Sequence, residues 1–221
     1  MQLTRVAIIG LGSIGRRHLR LISEVRPDIE IILVRSGYGE VCKEEKIASK
    51  VVFSISEAIE FGIQAAIISS PATLHLQQSL ELAKSEVHLL IEKPLSHTTD
   101  RLDVLLKVIN DNNIVAMVGY ALRYDIGARK FKDWLSNKIT GKILNARIEC
   151  GSYLPDWRPD QDYRKTVSAL SELGGGVLLE LSHEIDYLHW FFGKPIDIQA
   201  QIINSMVLDI NVEDQADLLI T

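Results

Sequence analysis

The 221 residues carry a formal net charge of −5 and 47% hydrophobic side chains, enough chain for one large domain or two small ones. No basic block invites nucleic acid or an anionic membrane, and no apolar run approaches the roughly 20 residues that span a bilayer. The N-terminus lacks the charged start, apolar run and small-residue cleavage site of a signal peptide, and Cys42 and Cys150 stand far apart in no metal or redox spacing. The expectation is a cytoplasmic protein with no metal, no membrane or nucleic-acid partner, and two structural thiols.

In chain order, residues 6–9 predict a buried strand, 13–25 a helix and 30–34 a second strand. The stretch 40–56 is weaker and predicts a short helix and a short strand at 51–53, with another helix near Glu57. Strands are predicted at 65–69 and 88–91 with a helix over 74–84 between them. A helix over 98–110 then leads to a strand over 114–118. Short β-branched runs separated by amphipathic helices are the signature of parallel βαβ units. Residues 1–119 are therefore expected to be an α/β domain with a doubly wound parallel sheet. After Gly119 the character changes. A helix is predicted through 131–137 and an extended segment over 143–153. Residues 154–172 form an irregular stretch rich in Pro, Asp and Arg. A helix over 176–191 and strands over 196–208 and 215–221 follow, so residues 120–221 are expected to be a second domain. The last run stops inside a strand-like pattern, from which the native chain is expected to continue.

The first strand leads into Gly10-Leu11-Gly12-Ser13-Ile14-Gly15, a G-x-G-x-x-G turn that opens a predicted helix. Gly10 permits the tight turn, Gly12 lets the backbone approach a pyrophosphate, and Gly15 lets the helix pack on the sheet. The N–H groups at Ser13 and Ile14 and the helix dipole then favour the phosphates of a dinucleotide. At the end of the second strand no acid meets the adenosine ribose. Arg35 and Ser36 stand there and suit a 2′-phosphate, which favours NADP over NAD. Were Arg35 merely a solvated arginine, Glu40 or a backbone group would serve NAD.

Ser70-Pro71-Ala72-Thr73-Leu74-His75 follows the fourth predicted strand and Glu92-Lys93-Pro94 the fifth, both at carboxyl ends of parallel strands, where such sheets bind ligands. A lysine at that crevice can polarise a substrate oxygen. The order and spacing of these three motifs resemble the glucose–fructose oxidoreductase, inositol dehydrogenase and MocA (Gfo/Idh/MocA) family. The resemblance continues through Gly119-Tyr120-Ala121-Leu122-Arg123-Tyr124 and Gly174-Gly175-Gly176 with its following helix, and so covers nearly the whole chain. It implies a nicotinamide-dependent oxidoreductase acting on a sugar, cyclitol or nucleotide-linked sugar. It also implies a Rossmann domain, an α+β second domain with an open, mostly antiparallel sheet, and a homodimer or homotetramer. Ser70, Pro71, His75, Glu92 and Lys93 then line the cofactor, with Lys93 also catalytic or substrate-orienting.

On the helix after the triple glycine, Leu178, Leu181, Ile185, Leu188 and Phe192 form one apolar stripe. Glu180, His183, Asp186, Tyr187 and Trp190 fall on the opposite arc. Glu180 and Asp186 each lie three positions from His183, within reach on a helix. A carboxylate beside an imidazole fixes its tautomer, and the pair predicts His183 as the general base with Asp186 orienting it. Related helices read Asp-x-x-x-His-x-x-Asp. His183 and Asp186 match that spacing, whereas the one-residue shortening rotates Glu180 by about 100° and assigns it to substrate contact. Arg123 and, in the loop 153–165, Trp157, Arg158 and Tyr163 are the other candidate substrate contacts. Two other readings stay open: a reductase of a non-sugar substrate on the same two-domain plan, and a non-catalytic dinucleotide-binding or sensing protein.

Overall fold

The computed structural model describes residues 2–38 and 41–221, and the chain divides into two compact units, Met1–Gly119 and Tyr120–Thr221. In the first, β1 (Arg5–Ile9), α1 (Ser13–Val25), β2 (Glu30–Val34), β3 (Lys50–Val52), α2 (Ile55–Glu60), β4 (Ala65–Ile68), α3 (Ala72–Lys84), β5 (His88–Ile91), α4 (Leu102–Asp111) and β6 (Ala116–Val118) follow one another. The strands form one parallel sheet in the order β3-β2-β1-β4-β5-β6. Strand order reverses between β1 and β4, which opens a crevice at their carboxyl ends, the ligand position of doubly wound sheets.

These strands read as unbroken apolar runs because both faces of the sheet are covered. Successive residues serve opposite layers. Ala7, Ile9, Ile32 and Ile68 pack with Ala58, Leu80, Ala83 and Leu105. Val6, Ile8, Ile31 and Leu33 pack with Leu19 of α1. Local polar groups explain where boundaries move from the predicted ones. The helix predicted from residue 98 begins at Leu102, since the Asp100 N–H donates to Thr98 Oγ1 (2.8 Å) and holds a turn instead. The short helix predicted within 40–56 is a 3₁₀ turn, Lys43–Ile47, and its predicted start at Glu40 lies outside the described residues.

The second unit holds α5 (Ile126–Ser136), α6 (Val177–Glu180), α7 (Ser182–Phe192), β7 (Ile198–Ile203) and β8 (Gln215–Ile220). α5 starts ahead of its predicted position because Asp125 accepts the Ala128 N–H at 2.8 Å as an N-cap. β7 and β8 pair antiparallel, with Ala200 opposite Leu218. The strand predicted over 196–208 ends at Ile203, where the Asn204 amide donates to Ile210 O and Val212 O and turns the chain. Among the described residues the segment 143–153, expected to be extended, joins no sheet: β7 and β8 pair with each other, and a strand exists where a neighbour takes its hydrogen bonds. Among the described residues no helix is long and apolar enough to cross a membrane.

The helix predicted as continuous over 176–191 breaks at Leu181, which adopts φ −98°, ψ 23° between α6 and α7. Glu213 fixes the start of α6, accepting the Val177 N–H on its carbonyl (3.0 Å) and the Leu178 N–H on its carboxylate (3.2 Å). Gly176 stands at φ +108°, and a Cβ there would lie 2.3 Å from that carboxylate, so glycine is required twice over.

Candidate functional site

In the first unit the turn after β1 forms the crevice floor. Gly10 takes φ +88°, and a Cβ on it would lie 3.0 Å from Ser69 O; a Cβ on Gly15 would fall 2.3 Å from Gly10 O. Gly12 is different, with nothing within 4 Å of the place its Cβ would occupy. α1 begins at that point with no side-chain cap and no acidic residue in its first turn. The N–H groups of a first helical turn, here including Ser13 and Ile14, have no acceptor within the helix. Room for a backbone-close ligand, a positive helix end and no competing carboxylate together fit a diphosphate.

The loops after β4 and β5 are tied to one another by His75. It is 1% exposed, with Nδ1 2.8 Å from Pro94 O and Nε2 2.8 Å from Ser70 O. Buried with both nitrogens engaged, it braces the loop carrying Ser70 against the one carrying Pro94. Ser70 donates to Gln78 Oε1 at 2.6 Å, and Pro71 occupies the N-cap position of α3.

Glu92 likewise turns inward. Its Oε1 lies 2.6 Å from His18 Nε2, and its Oε2 accepts the Lys93 N–H at 3.2 Å. Burial works to raise this carboxyl, but His18 and the Lys93 amide outweigh it and hold it below the ordinary carboxylate range. Gly119 has no side chain because a Cβ would stand 3.2 Å from the Glu92 carboxylate. Glu92 thus supports the loop that carries Lys93, which is half-buried and has its N–H held by that carboxylate. His18 was not legible as a partner, although its place three residues after Gly15 puts it on the sheet-facing side of α1.

Arg35 follows β2. Its Nη1 forms a tight ion pair with Glu45, the two side chains being 13% and 14% exposed, and its Nη2 donates to Tyr38 O at 3.3 Å. Arg35, expected to await a 2′-phosphate, is thus already paired with a carboxylate. Ser36 is exposed and accepts the Tyr38 N–H at 3.3 Å. Glu40, the alternative ribose partner, lies outside the described residues.

In the second unit Arg123 and Asp186 join. Nε and Nη2 of Arg123 donate to the Asp186 oxygens at 2.8, 2.8 and 3.2 Å, and the guanidinium lies 5.6 Å from the centre of the Trp190 ring. The expected pairing of Asp186 with His183 is therefore corrected. The group beside the imidazole is Glu184, with Oε1 3.1 Å from His183 Nε2. Tyr187 donates its hydroxyl to the same carboxylate, and burial and that carboxylate together push the Tyr187 phenol upward. The Cys150 sulfur completes a cluster whose donor atoms, with those of His183 and Glu184, lie within 4.8 Å of one another. Nothing in the spacing of Cys150 in the sequence announces this.

The break at Leu181 also parts the polar arc drawn for a continuous helix. Glu180, on α6, accepts from Ser168 Oγ at 2.7 Å. It lines, with Trp157, a groove toward β7 and β8 into which the stripe Leu178, Leu181, Ile185, Leu188 and Phe192 also faces. Arg123, His183 and Asp186 do not line that groove, so the structure does not gather all the expected substrate residues into one wall. Trp157 donates its indole N–H to Ser152, Arg158 is exposed, and Tyr163 opens the next 3₁₀ turn beneath the Arg164 guanidinium.

A family model described as "Oxidoreductase family, NAD-binding Rossmann fold" matches residues 4–120, and one described as "GFO/IDH/MocA C-terminal domain" matches residues 128–221. The chain is 25% identical over 197 residues to a myo-inositol 2-dehydrogenase of Thermotoga maritima, covering 87% of this chain and 56% of that protein. It is equally 25% identical over 194 residues to an uncharacterized oxidoreductase, YrbE, of Bacillus subtilis, covering 86% and 54%. The chain thus spans about half the length of the curated relatives it matches. Among solved structures, myo-inositol 2-dehydrogenase from Lactobacillus plantarum superposes with a TM-score of 0.83 at 23% identity, covering 100% of this chain and 67% of that one. The WlbA dehydrogenase from Bordetella pertussis, in complex with NADH and UDP-GlcNAcA, gives 0.83 at 19% identity, covering 99% and 68%. At these identities the two structures establish the fold.

Proposed function

Because this chain belongs to the Gfo/Idh/MocA oxidoreductase family, we propose that it transfers a hydride to or from a secondary carbinol or keto carbon of a sugar or nucleotide-linked sugar. The observation that carries this reading is the glycine turn: space at Gly12 that a Cβ would fill, above a helix start with neither cap nor carboxylate. Gly10, Gly12, Ser13, Ile14 and Gly15 hold the diphosphate, and Ser70 and Pro71 border the crevice. The bound nicotinamide dinucleotide supplies the hydride acceptor or donor.

In the oxidising direction the carbinol carbon gives up a hydride and its hydroxyl a proton. His183 takes the proton, and Glu184 orients its ring and stabilises the charge it gains. Lys93, its N–H held by Glu92 and the next carbonyl, Pro94 O, bonded to His75, donates a hydrogen bond to the oxygen as it becomes a carbonyl. Asp186 fixes Arg123 for substrate, and Trp157, Arg158, Tyr163 and Glu180 contribute further contacts of the second domain. The sugar-type substrate is supported by relatives named as inositol dehydrogenases and by the UDP-GlcNAcA in the WlbA complex. A dinucleotide-dependent reaction and two free cysteines support a cytoplasmic location. Exposed Ile198, Ile202 and Leu218 on β7 and β8 support assembly as a homodimer or homotetramer through that sheet.

The test is a turnover screen with NADH and NADPH against keto-sugars and their nucleotide-linked forms. Turnover that disappears in Lys93→Ala while dinucleotide affinity persists is the expected result. Tight dinucleotide binding with no turnover in the full-length protein would instead support a sensing role.

A further inference from the structure

We propose that Glu45 sets the cofactor choice of this chain, by holding the Arg35 guanidinium in an internal ion pair that excludes a 2′-phosphate and leaves NAD(H) as the preferred dinucleotide. The inference rests on the dinucleotide reading given above and deepens it.

Arg35 directly follows β2, the strand end at which a doubly wound fold meets the adenosine ribose. By residue type alone it is a 2′-phosphate ligand, since a guanidinium matches a phosphate in charge and in fork geometry. The structure gives it a competing anion. Glu45 sits in the 3₁₀ turn Lys43–Ile47 and receives Arg35 Nη1, with both side chains largely withdrawn from water. Screening is weak in such surroundings, so the pair is tighter than an exposed one.

Nor is Glu45 a loose side chain. The same Oε1 accepts the Cys42 N–H at 3.2 Å, and the neighbouring Glu44 binds Arg20 of α1 at 3.1 Å, so the turn is tied to α1 as well as to Arg35. Arg35 in turn is fixed at its own backbone, donating to Val52 O at 2.9 Å, and at Nη2, donating to Tyr38 O. The carboxylate therefore stays beside the guanidinium rather than swinging away.

A 2′-phosphate arriving here would bring close to two negative charges against a carboxylate that already neutralises the arginine. It would have to break the Arg35–Glu45 pair or accept the repulsion of Glu45. A ribose 2′-hydroxyl brings no charge and meets neither cost. Ser36 can hydrogen-bond either group and so does not discriminate. Glu45 acts through Arg35, as a positioning residue.

Removing the charge with little change of shape tests this. Dissociation constants for NADH and NADPH are measured by fluorescence titration on the wild-type chain, Glu45→Gln and the double variant Arg35→Ala/Glu45→Gln. The wild type is expected to bind NADH more tightly than NADPH. Glu45→Gln should raise the affinity ratio of NADPH to NADH at least tenfold, and the double variant should abolish that gain. A purely structural role of Glu45 would weaken both dinucleotides together and leave the ratio alone. Should Glu45→Gln unfold, Glu45→Ser and the salt dependence of the wild-type ratio replace it: added salt should narrow the NADH preference. An unchanged ratio with both dinucleotides bound overturns the inference while sparing the dinucleotide reading. Failure of every form to bind either dinucleotide overturns both.

Discussion

Arg123 grips Asp186 through three hydrogen bonds of 2.8, 2.8 and 3.2 Å, tying the turn that follows Gly119 to the helix that carries His183. Arg123 is 39% exposed at its side chain, so solvent screens the pair, and its coupling is expected to be about 1–2 kcal/mol rather than the larger value of a buried pair. A double-mutant cycle of Arg123→Lys and Asp186→Asn, read by urea unfolding, should return that coupling. Strict additivity of the two substitutions would show that the contact contributes nothing.

The three glycines of the turn should fail in different ways. Gly12→Ala adds a methyl into open space, so unfolding should shift by less than about 0.5 kcal/mol while dinucleotide affinity falls tenfold or more. Gly15→Ala forces a Cβ to 2.3 Å from Gly10 O and should lose stability first, by about 1–3 kcal/mol. Thermal unfolding with and without dinucleotide separates the two. Equal loss of stability in both variants would contradict the assignment.

His75 should matter through the two loops it ties together. Its replacement by Ala removes the imidazole from between the carbonyls of Ser70 and Pro94 and opens a cavity, with an expected cost of about 2–4 kcal/mol. His75→Gln keeps some hydrogen-bonding capacity and should recover part of that loss, together with kcat. Denaturant titration and initial rates check both. Full stability in His75→Ala would remove the brace from the account.

Much of this was legible from residue order alone. The parallel sheet showed itself because buried strands such as Ile31–Val34 must be apolar on both faces, and the phosphate turn because only glycine fits at Gly10 and Gly15. Partner choice was less visible. Asp186 lies three positions from His183, yet Arg123, sixty-three positions away, offers a bidentate donor and takes it. Glu184, adjacent in sequence, was overlooked because a helical wheel sets neighbours about 100° apart. The wheel also presumed an unbroken helix, and the turn at Leu181, beside an α6 whose start Glu213 fixes, is a tertiary arrangement that no local periodicity records. His18 with Glu92 and Arg35 with Glu45 escaped for the same reason: each pair is made by strands and turns that meet only after folding.

Glu92 gives the first unit an acid-sensitive hold. Its carboxyl lies below its ordinary value of 4.5 in the folded chain, so its contribution is complete above that pH and is lost as pH falls below 4.5 toward the lower folded value. Urea midpoints measured from pH 7 down to about 3.5 should fall more steeply in the wild type than in Glu92→Gln, which starts less stable at pH 7. Parallel curves would show that the His18–Glu92 contact does not favour the ionised carboxylate.

The central proposal is hydride transfer by a dinucleotide held at the glycine turn, with Lys93 and His183 as the proposed catalytic residues. It is tested most directly by supplying reduced dinucleotide deuterated at the transferring position, with a panel of keto-sugars, and weighing the products. The account predicts a product one mass unit heavier, with deuterium on the carbinol carbon, formed by the wild type and lost in Lys93→Ala and His183→Ala. Label that never leaves the bound dinucleotide across the panel, or that transfers undiminished in both variants, would contradict it.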